Sequence, residues 1–385
     1  MKLFQSNALQ LVAMLSIALL AGCASLIDSA SGAKSKGPNK LTDFKSTATL
    51  DIRWKSDLGD GGGNALQPAV TSDAVYAANS RGEIFRLERL TGKQVWRVES
   101  GFAITGGVGA GDGLVLVGGG KGDLAAFEQD GKLRWKIKVS SEILSAPQIS
   151  NGIVVVRTGD GRIAGLSAVN GSRQWLYERA TPVLIVRNHA GVSIASGTVF
   201  AGFAGGRLAL IGLSNGIVKW DVPVSQPRGN TELERISDIT SLPVTDDEQV
   251  CAVAFQGNVA CFDIAQGNPL WSREISSDKG VALDGKVLYL TDATGTVSAL
   301  DKSSGSSLWK NDQLSLRRTS APYVTGKYVA VGDYAGYVHL LSREDGAFAA
   351  RFKTEGGSIV ATPTELDGGL LVQTASGGLY SLAIH

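Results

Sequence analysis

The chain has 385 residues, enough for one large all-β domain or for two to three smaller domains. Its 49 glycines predict many turns, and 37 lysines and arginines against 36 aspartates and glutamates leave a formal net charge of +1. Because the sequence carries neither a net positive field nor a basic stripe, this balance argues against a nucleic-acid partner.

The first 22 residues have the pattern of a lipoprotein export signal. Lys2 supplies a short positive region, residues 9–20 form an apolar run, and Leu-Ala-Gly-Cys at 20–23 forms a small-residue processing site. About a dozen apolar residues are too few for a membrane-spanning helix, which needs about 20. The four-residue site resembles the bacterial lipobox, which implies a lipid anchor on Cys23, whereas an incidental cysteine is the alternative. Ala24, where an aspartate would resemble an inner-membrane retention signal, implies the outer membrane.

Residues 24–48 are rich in Ser, Lys, Ala and Gly and show no sustained period of 2 or 3.6. Such a composition is typical of a flexible linker. The predicted organisation is therefore a signal peptide at 1–22, a lipidated N-terminus and flexible tether at 23–48, and a folded domain at 49–385.

The tryptophans reveal an internal repeat. They recur along the sequence at intervals of 38 to 51 residues, and six of them have a glycine four residues earlier. Around them the same text recurs, as at 151–177 and 284–310: apolar strand, glycine turn, alternating strand, glycine turn, tryptophan strand. A proline-containing segment before most copies, such as 145–150, supplies a fourth strand. Four antiparallel strands per about 40 residues make one blade of a β-propeller. The tryptophans of the repeat are Trp54, Trp96, Trp135, Trp175, Trp220, Trp271 and Trp309.

The repeats predict an all-β, eight-bladed propeller of four-stranded antiparallel blades. Seven copies span residues 64–353, and a final segment at 358–385 lacks its tryptophan strand. Residues 50–56 contain only a tryptophan strand, so we expect them to complete the last blade and close the ring, which removes exposed sheet edges.

The tryptophan positions predict the packing between blades. We expect each indole to lie between neighbouring blades, where it would bury roughly 150–250 Å². In the seventh copy Ala350 stands where tryptophan is expected, and Phe348 or Phe352 is the candidate to fill the space. The sequence therefore predicts a weaker joint after the seventh blade.

Cys251 and Cys261 are the two cysteines of the predicted folded domain. A three-residue turn at Phe255–Gly257 with a left-handed Gly257 would place them opposite each other across a hairpin. An oxidising compartment outside the cytoplasm permits a disulfide there, and two buried free thiols are the alternative.

The repeat text at 299–309 resembles that of pyrroloquinoline-quinone dehydrogenases, which are also eight-bladed propellers. A quinone-dependent enzyme is therefore the alternative function. Those enzymes carry adjacent cysteines, a calcium site and an aspartate base, but this chain has no Cys-Cys pair. Asp263 and Asp301 recur at equivalent repeat positions, which favours a role in turns.

Other catalytic chemistry finds little support in the sequence. The three histidines, His189, His339 and His385, have no metal-ligand spacing. No hydrolase or nucleotide-binding motif is present, and Gly-x-Gly fragments lie between predicted strands. We therefore expect a protein without catalytic residues, metal or cofactor.

Over its whole length the chain resembles the BamB family, the propeller lipoproteins of the outer-membrane β-barrel assembly machinery. The features that carry the resemblance are the lipobox, the tether, the tryptophan repeats and the ring closure. In that family two loops contact the periplasmic POTRA domains of the barrel-forming subunit BamA. The segments at 181–187 and 228–239 resemble these loops, although Val186 replaces the more usual leucine and Thr240 stands where the family has a second aspartate. The partner-binding residues that the resemblance implies are Leu184, Val186, Arg187 and Asp238.

The lengths of the loops support this interpretation independently. In an antiparallel blade, all connections to the next blade lie on one face of the disc. The two longest, at 179–190 and 224–237, flank the same blade, and connections beyond about 2–6 residues are more often functional. The apolar Leu-Ile-Val followed by arginine at 184–187 is typical of an interface, and two solvated loops are the alternative.

These features predict a non-catalytic scaffold that is lipid-anchored on the periplasmic face of the outer membrane. It would bind a BamA-like subunit through POTRA domains and assist the insertion of outer-membrane proteins. A periplasmic propeller that adds unfolded strands to blade edges is a further alternative. Whether unfolded client proteins contact the chain directly stays open at this point.

Overall fold

The computed structural model of the protein describes residues 37–187 and 190–385. This part of the chain forms eight four-stranded antiparallel sheets, so the predicted eight-bladed propeller is confirmed. The described residues contain no helix with the length and hydropathy needed to cross a membrane. The predicted signal peptide, Cys23 and the first part of the predicted tether lie outside the described residues.

Blades are numbered in chain order, and each runs from an inner to an outer strand. Blade 1 consists of β2 Ala69–Val70, β3 Ala74–Ala78, β4 Glu83–Glu88 and β5 Gln94–Glu99. Blade 2 consists of β6 Ile104–Gly111, β7 Leu114–Gly119, β8 Asp123–Glu128 and β9 Leu133–Lys138. Blade 3 consists of β10 Gln148–Ser150, β11 Ile153–Arg157, β12 Arg162–Ser167 and β13 Arg173–Glu178. Blade 4 consists of β14 Val192–Ala195, β15 Thr198–Phe203, β16 Arg207–Gly212 and β17 Val218–Pro223.

The second half repeats this arrangement. Blade 5 consists of β18 Val244–Thr245, β19 Gln249–Val253, β20 Asn258–Asp263 and β21 Pro269–Glu274. Blade 6 consists of β22 Gly280–Asp284, β23 Val287–Thr291, β24 Val297–Asp301 and β25 Ser307–Asn311. Blade 7 consists of β26 Tyr323–Thr325, β27 Tyr328–Gly332, β28 Tyr337–Ser342 and β29 Phe348–Lys353. Blade 8 consists of β30 Thr364–Leu366, β31 Gly369–Gln373, β32 Gly378–Ile384 and the N-terminal strand β1 Leu50–Asp57.

Burial along the strands follows from their place in a blade. Second strands such as β3 and β7 are apolar and buried at every position, because both faces contact a neighbouring blade. Outer strands alternate, as in β9, where Trp135 is buried between exposed Arg134 and Lys136. The buried side chains accordingly form eight clusters, one between each pair of adjacent blades.

Each tryptophan joins its own blade to the next. The indole N–H of Trp175 donates to the carbonyl of Leu213 at 2.8 Å, and its ring covers Gly216 in the turn before the next outer strand. Gly216 has φ +69°, and a Cβ there would lie 2.8 Å from the indole, so this position requires glycine. The same contacts recur for Trp54 with Gly92, Trp96 with Gly131, Trp135 with Gly171, Trp220 with Gly267, Trp271 with Gly305 and Trp309 with Gly346.

The two ends of the chain close the ring. Strand β1 pairs antiparallel with β32, with Leu50 opposite Ile384 and Asp57 opposite Gly378. This confirms the predicted closure by residues 50–56, and the strand extends one residue further. The indole of Trp54 then covers Gly92 of blade 1.

The joint between blades 7 and 8 has a different construction. The turn that would receive a blade 7 indole does not exist in blade 8, because the third and fourth strands of that blade come from opposite ends of the chain. Ala350, at the tryptophan position, is buried. Residues 39–48, here called the strap, lie alongside instead: the amides of Thr47 and Ala48 donate to the carbonyl of Ala349 at 2.9 and 3.1 Å.

Aromatic rings pack on both sides of blade 7: Phe44 of the strap and Phe348 on the side of blade 6, and Phe352 on the side of blade 8. Phe44 lies with its ring centroid 5.3 Å from that of Phe348, and the guanidinium of Arg351 lies 4.9 Å from the Phe44 ring. Phe352 contacts Tyr380 of blade 8 at 6.4 Å. Of the two phenylalanines that were candidates for this space, Phe352 therefore packs at the joint, whereas Phe348 belongs to the cluster between blades 6 and 7.

A buried polar network fixes the strap to blades 6 and 7. The Asn39 amide donates to the Ser315 carbonyl at 3.0 Å, and the guanidinium of Arg317 donates to the Asn39 carbonyl at 3.0 Å. Arg351 donates to the carbonyl of Thr42 at 3.1 Å. From Asn39 onward, the segment that we expected to be flexible tether therefore packs on the propeller, through partners that its own sequence does not reveal.

Cys251 and Cys261 are paired across β19 and β20 and form a disulfide with a Cα–Cα distance of 4.1 Å. The hairpin turn differs from the expectation in one respect. Gln256, with φ +51°, adopts the left-handed conformation that we assigned to Gly257. Glycine is needed at 257 for space, since a Cβ there would lie 2.5 Å from the hydroxyl of Ser225.

Candidate functional site

The connections between blades share one face of the propeller, here called the loop face, with the turns between second and third strands. Its two longest connections run from the end of β13 to β14 (residues 179–191) and from the end of β17 to β18 (residues 224–243). They flank blade 4 and lie against each other. All four predicted partner-binding residues lie on these two connections.

Asp238 holds the two connections together. Its side chain is 1% exposed, and its carboxylate accepts hydrogen bonds from the amide of Val186 at 2.7 Å and from the amide of Gly205 at 3.0 Å. Its carbonyl accepts the amide of Phe255 at 2.8 Å. We expected Asp238 to contact a partner directly. In the structure its carboxylate is buried and bonded to backbone amides of the loop assembly.

The first connection presents an apolar edge to solvent. Val183, Leu184 and Ile185 are 89%, 44% and 39% exposed. Contiguous exposed apolar residues rimmed by polar groups are typical of interaction sites. Val186 is only partly exposed, because its backbone faces Asp238.

Arg187 borders this edge and makes a forked ion pair with Glu142. Its Nε lies 3.1 Å and its Nη2 2.9 Å from Glu142 Oε2. The Arg187 side chain remains 61% exposed. This pair aims the guanidinium along the loop face, where part of it stays available to a partner.

A cavity of about 250 Å³ lies beneath the first connection, between blades 3 and 4. Apolar side chains and charged groups both line it. The residues that matter for its chemistry are Glu142, Leu144, Arg157, Ile185, Arg187 and Phe203.

Arg157 is the residue at this site that the sequence reasoning missed. It ends β11, and its guanidinium carbon lies 5.6 Å from the ring centroid of Phe203. Its Nε and Nη1 atoms are buried and have no hydrogen-bond partner. Burial lowers the pKa of Arg157 to about 10, and the nearby Asp238 carboxylate opposes this shift.

A signal for Arg157 exists in the repeats. The strand registers align it with positions that carry no charge in any other blade, namely Ala78, Gly118, Gly202, Val253, Thr291, Gly332 and Gln373. In blades 2, 4 and 7 an isoleucine of the following connection covers this position, and a Cβ on the glycine would meet it at 2.1 to 2.4 Å. Blade 3 differs from those three blades, because the equivalent position holds the cation Arg157 and borders a cavity, whereas in the others it packs against an isoleucine.

No group of three or more His, Cys, Asp or Glu side chains within the described ranges is arranged to hold a metal ion. His339, the one histidine buried in the propeller among those described, belongs to the network beneath the strap rather than to the loop face. His189 lies outside the described residues.

Comparison with known proteins gives a consistent result. The family model described as outer membrane protein assembly factor BamB matches residues 80–311 and 295–385. The protein of that name from Burkholderia pseudomallei is 39% identical over 99% of both chains. The crystal structure of BamB from Moraxella catarrhalis superimposes with a TM-score of 0.80 at 28% identity, covering 86% of this chain and 99% of that one.

An enzyme shares the fold as well. A quinohemoprotein alcohol dehydrogenase from Comamonas testosteroni matches with a TM-score of 0.70 at 14% identity, over 86% of this chain and 76% of that one. At this identity the likeness shows a common propeller architecture and nothing about chemistry. The family match and the full-length relatives show that the chain belongs to the BamB family of outer-membrane protein assembly factors.

Proposed function

We propose that the protein is a non-catalytic scaffold subunit of the complex that assembles β-barrel proteins in the outer membrane. It binds the periplasmic POTRA domains of a BamA-like barrel-forming subunit and assists the insertion of outer-membrane proteins. The name of its relatives, outer membrane protein assembly factor, supports this role. The observation that carries the proposed site is the exposed apolar edge at Val183–Ile185 beside Arg187.

The physical argument rests on preorganisation. A partner that covers the edge removes three apolar side chains from water, and the Asp238 hydrogen bonds have already fixed the backbone that carries them. Less conformational entropy is therefore lost on binding. Arginine is among the residues that most often dominate binding energy, and the apolar side chains beside it add the free energy of their removal from water.

The residues have separate roles in this proposal. Leu184 is the apolar anchor, and Arg187 is the charged contact at its border. Val186 contributes its backbone amide to Asp238, which positions the edge without touching the partner. Because Asp238 is already saturated by local donors, Thr240 in place of a second aspartate does not weaken this positioning.

A double variant tests the site. Leu184→Asp with Arg187→Glu should weaken binding of purified POTRA domains by about 10³-fold or more, because anchors of this kind contribute roughly 2 kcal/mol or more each. Both side chains are exposed, and loss of a surface ion pair such as Arg187–Glu142 costs about 1 kcal/mol at most, so the variant should remain folded. Affinity is measured by surface plasmon resonance and stability by urea unfolding.

The matched control lies on the opposite face. Leu90→Asp with Lys93→Glu makes the same kind of changes in an exposed turn of blade 1. It should leave the affinity unchanged. If the loop-face variant is folded and binds like wild type, the proposed site is wrong.

We also propose that Cys23 carries the lipid that holds the protein on the periplasmic face of the outer membrane. Wild-type cells grown with labelled palmitate should incorporate the label into this protein, and Cys23→Ser should abolish it. Cys251→Ser with Cys261→Ser is the control and should keep the label. An unlabelled wild-type protein would overturn the anchoring proposal.

A further inference from the structure

We propose that the cavity beneath residues 179–187 binds an acidic side chain of the bound partner, with Arg157 as the cationic group that receives the carboxylate. This inference rests on the proposed function, since it names the chemistry that one part of the partner presents. It adds to the exposed edge a second, recessed contact.

Of the arginines that line the cavity, only Arg157 makes no ion pair within the described residues. Arg179 is paired with Asp221, and Arg187 is paired with Glu142. Two nitrogen atoms of Arg157 are both buried and without a hydrogen-bond acceptor. The nearby Asp238 carboxylate favours the charged form of Arg157, but its hydrogen bonds are to backbone amides and none is to the guanidinium. A buried charge without a partner destabilises a folded protein, and a carboxylate can supply two parallel acceptors to one guanidinium. The complement to this site is therefore an anion.

The size of the cavity favours a side chain over a free ligand. Sites for small-molecule ligands and cofactors usually measure about 300–1,000 Å³. At about 250 Å³ the cavity is smaller than that range. Leu144, Ile185 and Phe203 form its apolar wall, which suits the methylene groups of a glutamate or aspartate whose carboxylate reaches Arg157.

The position of the cavity ties it to the exposed edge. Ile185 and Val186 line the cavity, whereas the preceding Leu184 is exposed to solvent. A partner domain that covers Leu184 and Arg187 would therefore cover the mouth of the cavity as well. Exclusion of water strengthens the attraction between a carboxylate and Arg157, because the local dielectric constant falls.

Arg157→Met tests the proposal in the mature propeller. Methionine keeps a long side chain but removes the charge, so affinity for purified POTRA domains should fall about 10- to 100-fold. The melting temperature should stay level or rise, because an unpaired buried cation has been removed. An arginine with a purely structural role would instead lower the melting temperature on replacement. Arg173→Met, on the exposed outer strand of the same blade, is the matched control and should leave affinity unchanged.

A double-mutant cycle identifies the acidic side chain. Each surface aspartate and glutamate of the POTRA domains is changed to its amide and tested against wild type and Arg157→Met. One change should weaken binding to wild type about as much as Arg157→Met does, and should cause no further loss in the Arg157→Met protein. If no partner carboxylate couples to Arg157, or if Arg157→Met binds like wild type, the inference is wrong.

The same measurements separate this inference from the proposed function. The single variant Leu184→Asp reports on the exposed edge alone, because Leu184 does not line the cavity, whereas Arg187 does. If that variant loses binding while Arg157→Met does not, the scaffold function stands and the carboxylate cavity is overturned. If both bind like wild type, the loop face is not the partner surface and both proposals fail.

Discussion

Seven of the eight joints between blades are filled by tryptophan, whereas the eighth is filled by the strap. In the seven, an indole covers a left-handed glycine and donates to a backbone carbonyl of the next blade. In the eighth, between blades 7 and 8, that turn is missing because the chain ends there, and the tryptophan position holds Ala350. The tryptophan is therefore missing from the repeat at the one joint where the next blade has no glycine turn to receive an indole. There the strap, which is not part of the repeat, packs beside blade 7.

The largest expected effect is the loss of an indole. Trp175→Ala should lower the free energy of unfolding by about 3–5 kcal/mol, because it removes a buried aromatic side chain and its hydrogen bond to Leu213. Urea unfolding of the variant and of wild type measures the difference. Trp175→Phe, which keeps an aromatic ring, should lose clearly less. A cost near zero for Trp175→Ala would mean that the joints do not limit stability.

Adding the missing indole should also destabilise the protein. Ala350→Trp restores the repeat text, but the residue is buried and blade 8 offers no glycine turn to receive the ring. Overpacking of this kind costs about 1–3 kcal/mol. The side chain would press on the strap at Ala48, which shares its apolar cluster. A gain in stability, measured by thermal unfolding, would contradict the view that the strap has replaced the tryptophan.

The smallest effect concerns the pH dependence of the network beneath the strap, on the side of blade 7 that faces blade 6. His339 is fully buried, its Nε2 hydrogen bonds to Asp333 at 3.1 Å, and its Nδ1 accepts from Arg351 at 3.3 Å. Burial lowers the pKa of His339, against the opposing effect of Asp333. The unfolded chain therefore binds this proton first as the pH falls.

Stability contributed by neutral His339 is accordingly lost as the pH drops through the unfolded value of about 6.5. The melting temperature should decrease between pH 8 and pH 5. His339→Gln preserves one donor and one acceptor without titrating, so it should reduce this decrease. An equal decrease in the variant would show that other groups control the pH dependence.

The repeated sequence pattern made the blades predictable, because its glycine and tryptophan form the contact that joins one blade to the next. The strap was not predictable in the same way. Asn39, Thr42 and Phe44 show no periodicity, and their partners, such as Ser315 and Arg351, lie far away in the chain. A local pattern cannot reveal contacts that depend only on where distant segments meet.

The site was predictable in position but not in detail. Loop length indicated the right connections, since blade-to-blade connections all emerge on one face. The direction of the Asp238 carboxylate depends on the amides of Val186 and Gly205, and sequence spacing does not define it. Arg157 could have been found by comparing equivalent repeat positions for charge, a comparison that follows from the repeat itself.

Ring closure by β1 and β32 also determines when the protein can finish folding. Leu50 is synthesised long before its partner Ile384, so the first strand has no sheet to join until β32 has been synthesised. Contacts between such distant residues are characteristic of slow-folding topologies. Until closure, β1 and the outer edge of β32 both expose unpaired backbone groups that can join other strands. Completion of the last blade therefore pairs both exposed edges, and the risk that they aggregate with other strands ends at that step.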